Sequence, residues 1–138
     1  MISYNGNLLV SAPVDFLPEL KNEMNHWFKC TFTHGADAET IKSLLNENPF
    51  DAWLLSPCPT YMIDKLMIDL CPSLKIIATP STGSNHLDVD YIKKQNIKFF
   101  SLKGTNVINK IYASSEFTFN LMISTIRNTP FAFESVRN

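Results

Sequence analysis

The stretch best equipped for chemistry is Pro80-Ser81-Thr82-Gly83-Ser84-Asn85-His86-Leu87-Asp88, directly behind the apolar run Leu74-Lys75-Ile76-Ile77-Ala78-Thr79. A strand that empties into a loop of this kind presents backbone N–H groups to an anion. The amides of Thr82, Gly83 and Ser84 are the expected donors. A tight turn alone also accounts for a glycine here, and either reading predicts a positive φ at Gly83 that excludes a β-branched side chain. A second loop, Ser56-Pro57-Cys58-Pro59-Thr60, follows another apolar run, and its two prolines stiffen it beside the first. His86 and Asp88 stand at a helix entry, where they fit a turn residue and an N-cap better than an acid–base pair. His26 and His34 have no partner pattern and read as surface or internally satisfied histidines. Nucleophile elbow, Walker loop, zinc spacing and paired carboxylates are all missing from the sequence, so neither a metal site nor a catalytic group is expected.

The elements that must position these loops follow from hydrophobic spacing. Apolar runs at about 7–12, 28–33, 52–56, 74–79 and 97–102 are of strand length, and Ala52-Trp53-Leu54-Leu55 has the two-faced character of a buried parallel strand. Helical patterns lie between them. Residues 14–27 carry Phe16, Leu17, Leu20, Met24 and Trp27 at helical spacing, with Pro18 tolerated in a first turn. Asp37 is the expected cap of a helix bearing Ile41, Leu44 and Leu45. Thr60 is the expected cap of another whose inner face is Met62, Ile63, Leu66, Met67 and Leu70, with Asp64 outward. A last short helix runs from about Asp88 to Gln95 and stops at Asn96, which can take the left-handed conformation. Strand–helix alternation of this kind predicts an α/β domain, a parallel sheet with helices on both faces. Five strands favour the flavodoxin-like order.

Two flavodoxin-like functions fail on residues. A phosphoacceptor receiver needs an aspartate where Ser56 stands and acidic partners where Ala12-Pro13 stand. A flavin mononucleotide binder needs a hydroxyl- and glycine-rich loop after strand one, and Ser11-Ala12-Pro13-Val14-Asp15-Phe16 is not one. Net charge is −1 with scattered basic residues, which gives no footprint for nucleic acid or an anionic membrane. No apolar window reaches membrane-span length, and the N-terminus lacks the pattern of a secretory signal. Three cysteines, Cys30, Cys58 and Cys71, fit small buried side chains in a reducing cytoplasm. Residues 113–127 break the pattern. Phe117, Phe119, Leu121, Met122, Ile123 and Ile126 cover more than one stripe of a helix, so that helix needs burial on most sides.

From Leu74 to Gly104, and again from Ala113 to Asn128, the sequence resembles the substrate domain and hinge helix of the D-isomer-specific 2-hydroxyacid dehydrogenases. The family's Gly-x-Gly-x-Asp-Asn-x-Asp signature stands here as Ser81-Thr82-Gly83-Ser84-Asn85-His86-Leu87-Asp88, and its Val-Ala-Glu-His helix start as Ser114-Ser115-Glu116-Phe117. The resemblance implies that the amides of Thr82, Gly83 and Ser84 hold the carboxylate of a small 2-hydroxy or 2-keto acid. It also implies that Thr82 approaches a nicotinamide cofactor, NAD or NADP, and that Ser56 and Pro57 close over the substrate. By the same resemblance, residues 1–112 form the substrate-binding domain. Residues 113–138 comprise a long C-terminal hinge helix, over about 113–127, and the start of an absent nucleotide-binding domain, and they support a homodimer. The first glycine of the signature is Ser81 here and its first aspartate is Asn85. The Gly-x-Gly-x-x-Gly fingerprint and the family's catalytic arginine, glutamate and histidine are expected beyond Asn138, in the rest of a longer enzyme. The rival expectation, from another class, is a non-catalytic flavodoxin-like binding or self-assembly module. A reading frame that continues past Asn138 into that fingerprint distinguishes the two.

Overall fold

The computed structural model describes residues 5–137 and divides into two compact units between Lys103 and Gly104. The first unit alternates strand and helix: β1 (Gly6–Val10), α1 (Pro18–Trp27), β2 (Phe28–Phe32), α2 (Ala38–Glu47), β3 (Ala52–Leu54), α3 (Lys65–Asp69), β4 (Ile76–Ala78), α4 (Val89–Lys94) and β5 (Lys98–Phe100). All four pairings are parallel, and the strand order is β2-β1-β3-β4-β5, the flavodoxin-like order expected from the sequence. Every strand is found, each somewhat shorter than its apolar run, because the flanking residues leave the ladder to build loops.

Side-chain alternation splits the core across the sheet. Leu9, Trp53 and Ile77 point to one face and pack with Ile41 and Leu45 of α2, Met67 of α3 and Ile92 of α4. Leu8, Val10 and Ala52 point to the other, with Met24 of α1 packed against them. Trp53 is 1% exposed and Ile77 fully buried, as expected for central parallel strands.

Two helices differ from their spacing. The first starts at Pro18 rather than residue 14; Pro18 does occupy its first turn, but Phe16, Leu17, Leu20 and Trp27 stay exposed. The helix expected from Thr60 starts only at Lys65. Its cap is Asp64, whose carboxylate accepts from the Met67 amide at 3.0 Å. Residues before it are extended: the Ile63 amide donates to His86 O and the Asp88 amide donates back to Ile63 O, forming a parallel bridge to Leu87. That bridge costs the helix a turn and leaves Met62 and Leu66 exposed. By contrast, Asp37 caps α2 through the Thr40 amide, Asp88 caps α4 through the Tyr91 amide, and Asn96 adopts φ +57°, all as expected.

The second unit holds a short 3-10 turn at Ile108–Lys110, then α5 (Ala113–Ile126) and α6 (Thr129–Arg137). α5 matches the helical stretch expected over 113–127, and Asn128, with φ of +49°, ends it in a left-handed residue. Within this unit no described side chain is buried. No helix among the described residues is long and apolar enough to cross a membrane.

Candidate functional site

Loops at the carboxyl ends of parallel strands converge at one edge, where open α/β sheets bind ligands. The ladder reaches into these loops. The Leu55 amide donates to Ala78 O, Thr79 to Phe100 O and Leu102 to Ser81 O, so the loop after β4 is tied to the exit of β5. Between that loop and the one after β3 lies a cleft of about 470 Å³, walled by Pro57 to Met62 on one side and by Ser81, Gly83, Asn85 and His86 on the other. A second crevice of about 190 Å³ lies behind the β3 loop, where Ser11 and Ser56 meet Thr33 to Ala36. Cys58 to Tyr61 wall both spaces.

The predicted site residues divide between these spaces. Pro57 and Gly83 face each other across the larger cleft, whereas Ser56 lines the smaller crevice and Thr82 and Ser84 line neither. Gly83 departs from expectation twice. Its φ lies outside the left-handed region, and a Cβ built there meets only Ser81 Oγ at 3.8 Å, so neither strain nor crowding requires glycine. Its amide is also occupied, donating to Ser81 Oγ at 3.1 Å. The amides of Thr82 and Ser84, like those of Ser81, Asn85 and His86, donate to no described acceptor.

Sequence reasoning missed Ser11. Its hydroxyl is buried at the end of β1, accepts from Trp53 Nε1 at 3.0 Å and from the Ser56 amide at 3.2 Å, and donates to Leu54 O at 3.4 Å. Ser11 thus ties three groups of β3 and its loop to the end of β1. It fixes where the β3 loop begins. Beside it, burial pushes the Tyr61 phenol up, the Ser11 hydroxyl pulls the other way, and the Asp37 carboxylate adds to the rise. Tyr61 therefore remains a protonated hydroxyl on the shared wall.

Other candidates resolve into structural roles. His34 is not unpartnered: its Nδ1 lies 3.0 Å from Asp15 Oδ2. His26 stacks edge-on against Trp27. Of the cysteines only Cys71 is buried; Cys30 is half-buried and Cys58 exposed. Among the described residues no His, Cys, Asp or Glu cluster could hold a metal ion. The N-termini of α2, α3 and α4 are each capped by an aspartate of the chain itself.

His86 gives this edge a pH response. Its Nε2 is shut from solvent without a hydrogen-bond partner, and burial holds the imidazole below its ordinary 6.5. Acid protonates the unfolded chain first, so stability is full above about pH 6.5 and falls as pH drops toward the folded-state value, then levels off. Urea midpoints measured from neutral to mildly acidic pH should show this loss, and His86→Gln should remove the part due to this residue. A wild-type slope unchanged in the variant would assign it elsewhere.

The sequence pattern of the D-isomer specific 2-hydroxyacid dehydrogenase catalytic domain matches residues 8–109. The chain belongs to this family. It is 30% identical over 105 residues to the formate dehydrogenase of Pichia angusta, covering 73% of this chain and 28% of that protein. It is 35% identical over 77 residues to the glyoxylate reductase/hydroxypyruvate reductase of Mus musculus, covering 55% of this chain and 22% of that one. The holo D-mandelate dehydrogenase of Rhodotorula graminis shares the fold, with a TM-score of 0.72 at 20% identity over 96% of this chain and 40% of that one. The chain thus spans about a quarter of the length of the curated relatives it matches.

Proposed function

We propose that this chain is the substrate-binding portion of an NAD- or NADP-dependent dehydrogenase acting on the CH–OH group of a small D-2-hydroxy acid. The observation that supports it most is the cleft between Pro57–Met62 and Ser81–His86, placed at the carboxyl edge of a sheet of this family. Thr82 and Ser84, on either side of Gly83 in the loop that walls the cleft, offer free amides to a carboxylate, Pro57 stands on the facing wall, and Ser56 lines the crevice behind it. In the complete enzyme the nicotinamide would lie beside Thr82. The hydride acceptor and the groups that polarise the carbonyl and carry the hydroxyl proton come from outside these residues, because the 138 residues contain neither the dinucleotide fingerprint nor a catalytic histidine in the family's pattern. The domain boundary proposed is 1–112 for substrate binding and 113–138 for the hinge and the homodimer contact. The free cysteines fit a cytoplasmic enzyme.

Gly83→Val tests this reading. A side chain at Gly83 strains nothing and would stand in the cleft. Stability should therefore change by no more than about 0.5 kcal/mol, while the affinity of the chain for lactate or glyoxylate, read from amide NMR shifts, should be lost. The unaltered chain should show no turnover with NADH and glyoxylate above a heat-killed control. Wild-type affinity in the variant would take Gly83 out of the site, and turnover by the chain alone would show that the reading lacks a catalytic group.

A further inference from the structure

We propose that an apolar groove at the start of α1 receives α6 of a second copy of this chain, and that two copies exchange these helices reciprocally. The inference rests on the reading of residues 113–138 as a contact between copies and deepens it by naming the surface that receives them. The groove is a consequence of Pro18. A proline keeps the residue before it out of helical conformation, and Leu17 stands at φ −123° and ψ 72°. Phe16 and Leu17 are thereby turned out of the helix, and of the apolar side chains expected on its inner face only Met24 packs against a buried cluster. Phe16 is 74% exposed, and Leu17 and Leu20 are exposed with it. Together with Pro18, Glu19 and Glu23 they line a space of about 450 Å³.

The rim of this groove is acidic. Glu19 sits in the first turn of α1, where the positive end of the helix favours a carboxylate, but Glu23 lies a turn further on. Lys21, between them in sequence, is held by Asp15 at 2.8 Å and lies over the Phe32 ring. The complement stands on α6. Phe133, Val136 and Arg137 share one face of that helix, at i, i+3 and i+4, and all three are exposed. Glu134 falls roughly 100° around the helix from Phe133, at the margin of that face. Among the described residues, Glu19, Glu23 and Arg137 form no ion pair. Phe133 seated in the groove of a second copy brings Arg137, one turn along, to the acidic rim. Glu19 and Glu23 are themselves one turn apart, so both charges act on that guanidinium. Exchange about a two-fold axis makes the contact twice, covers both grooves and closes the pair.

Sedimentation of the chain over a range of concentrations tests this, with circular dichroism to check that each variant folds. Phe16→Glu with Leu20→Glu alters two exposed positions of the groove and should weaken dimerisation by at least about tenfold, because apolar burial is lost at both contacts. Glu23→Arg and Arg137→Glu should each weaken it about fivefold, and the two reversals combined in one chain should recover most of that loss. Dimerisation of Phe16→Glu/Leu20→Glu at the wild-type concentration midpoint would overturn the groove as the receiving surface and leave residues 113–138 standing as a contact. Combined reversals no better than the single ones would overturn the pairing of Arg137 with this rim, and with it the choice of α6. An unaltered chain that is monomeric throughout would overturn the contact and its receiving surface together.

Discussion

Ser11→Ala should destabilise the five-stranded unit by about 2–4 kcal/mol, an unusual cost for removing one oxygen from a serine. The magnitude comes from what is left behind. Without Oγ, the indole N–H of Trp53, 1% exposed, and the half-buried amide of Ser56 both lose their acceptor. Orphaning a buried donor costs about 1–3 kcal/mol, more than the net worth of the bond itself. The loss should be recoverable in part. Trp53→Phe removes one of the two donors, so Ser11→Ala should cost less in a Trp53→Phe background than in the wild type, a coupling between neighbours that a double-mutant cycle isolates. Urea denaturation of the four proteins gives the cycle. Hydrogen exchange gives the local readout: the Ser56 amide should lose protection in Ser11→Ala while amides of the β1–β3 ladder, such as Val10, keep theirs relative to global stability. Additive single costs would mean that Ser11 acts through packing alone.

Ser11 also shows where sequence reading runs out. The strand order was legible, because five apolar runs separated by helical stretches leave few right-handed parallel topologies. Two of the three aspartate caps were legible for a local reason: Asp37 and Asp88 each sit just ahead of a helix with no competing signal. Asp64 was not, since Met62, Ile63, Leu66 and Met67 imitate a helical face that begins at Thr60. Only the non-local bridge between Ile63 and Leu87 decides that the first part is extended. The hydroxyl of Ser11 becomes meaningful only once register places Val10 beside Leu54, bringing Trp53 and Ser56 within reach. Nothing near Ser11 in sequence announces those partners. The Gly83 loop was legible as a place and illegible as a geometry. Its position behind β4 followed from the strand pattern, whereas its φ and the capture of its amide by Ser81 depend on backbone torsions that a glycine codon leaves open.

Residues 113–138 should drive self-association of the chain. Phe117, Phe119, Leu121, Met122, Ile123 and Ile126 of α5 are each 45% or more exposed, and Phe131 and Phe133 of α6 about two-thirds exposed. These side chains point around α5 rather than along one stripe, so no single contact face can cover them. Helices of 14 and 9 residues are also too short to be stable in water by themselves. Each large apolar side chain left in water forgoes roughly 1.5–3 kcal/mol relative to burial, and several together favour a second copy strongly, including exchange of α5 between two chains. Sedimentation of the full chain beside a truncation at Tyr112 should show a concentration-dependent dimer or larger species only in the former. Phe119→Glu together with Ile126→Glu, which lie on the same side of α5, should weaken that association. A full chain that stays monomeric at tens of micromolar would mean that these side chains find cover within their own molecule, and the segment would then be part of the domain rather than a contact between copies.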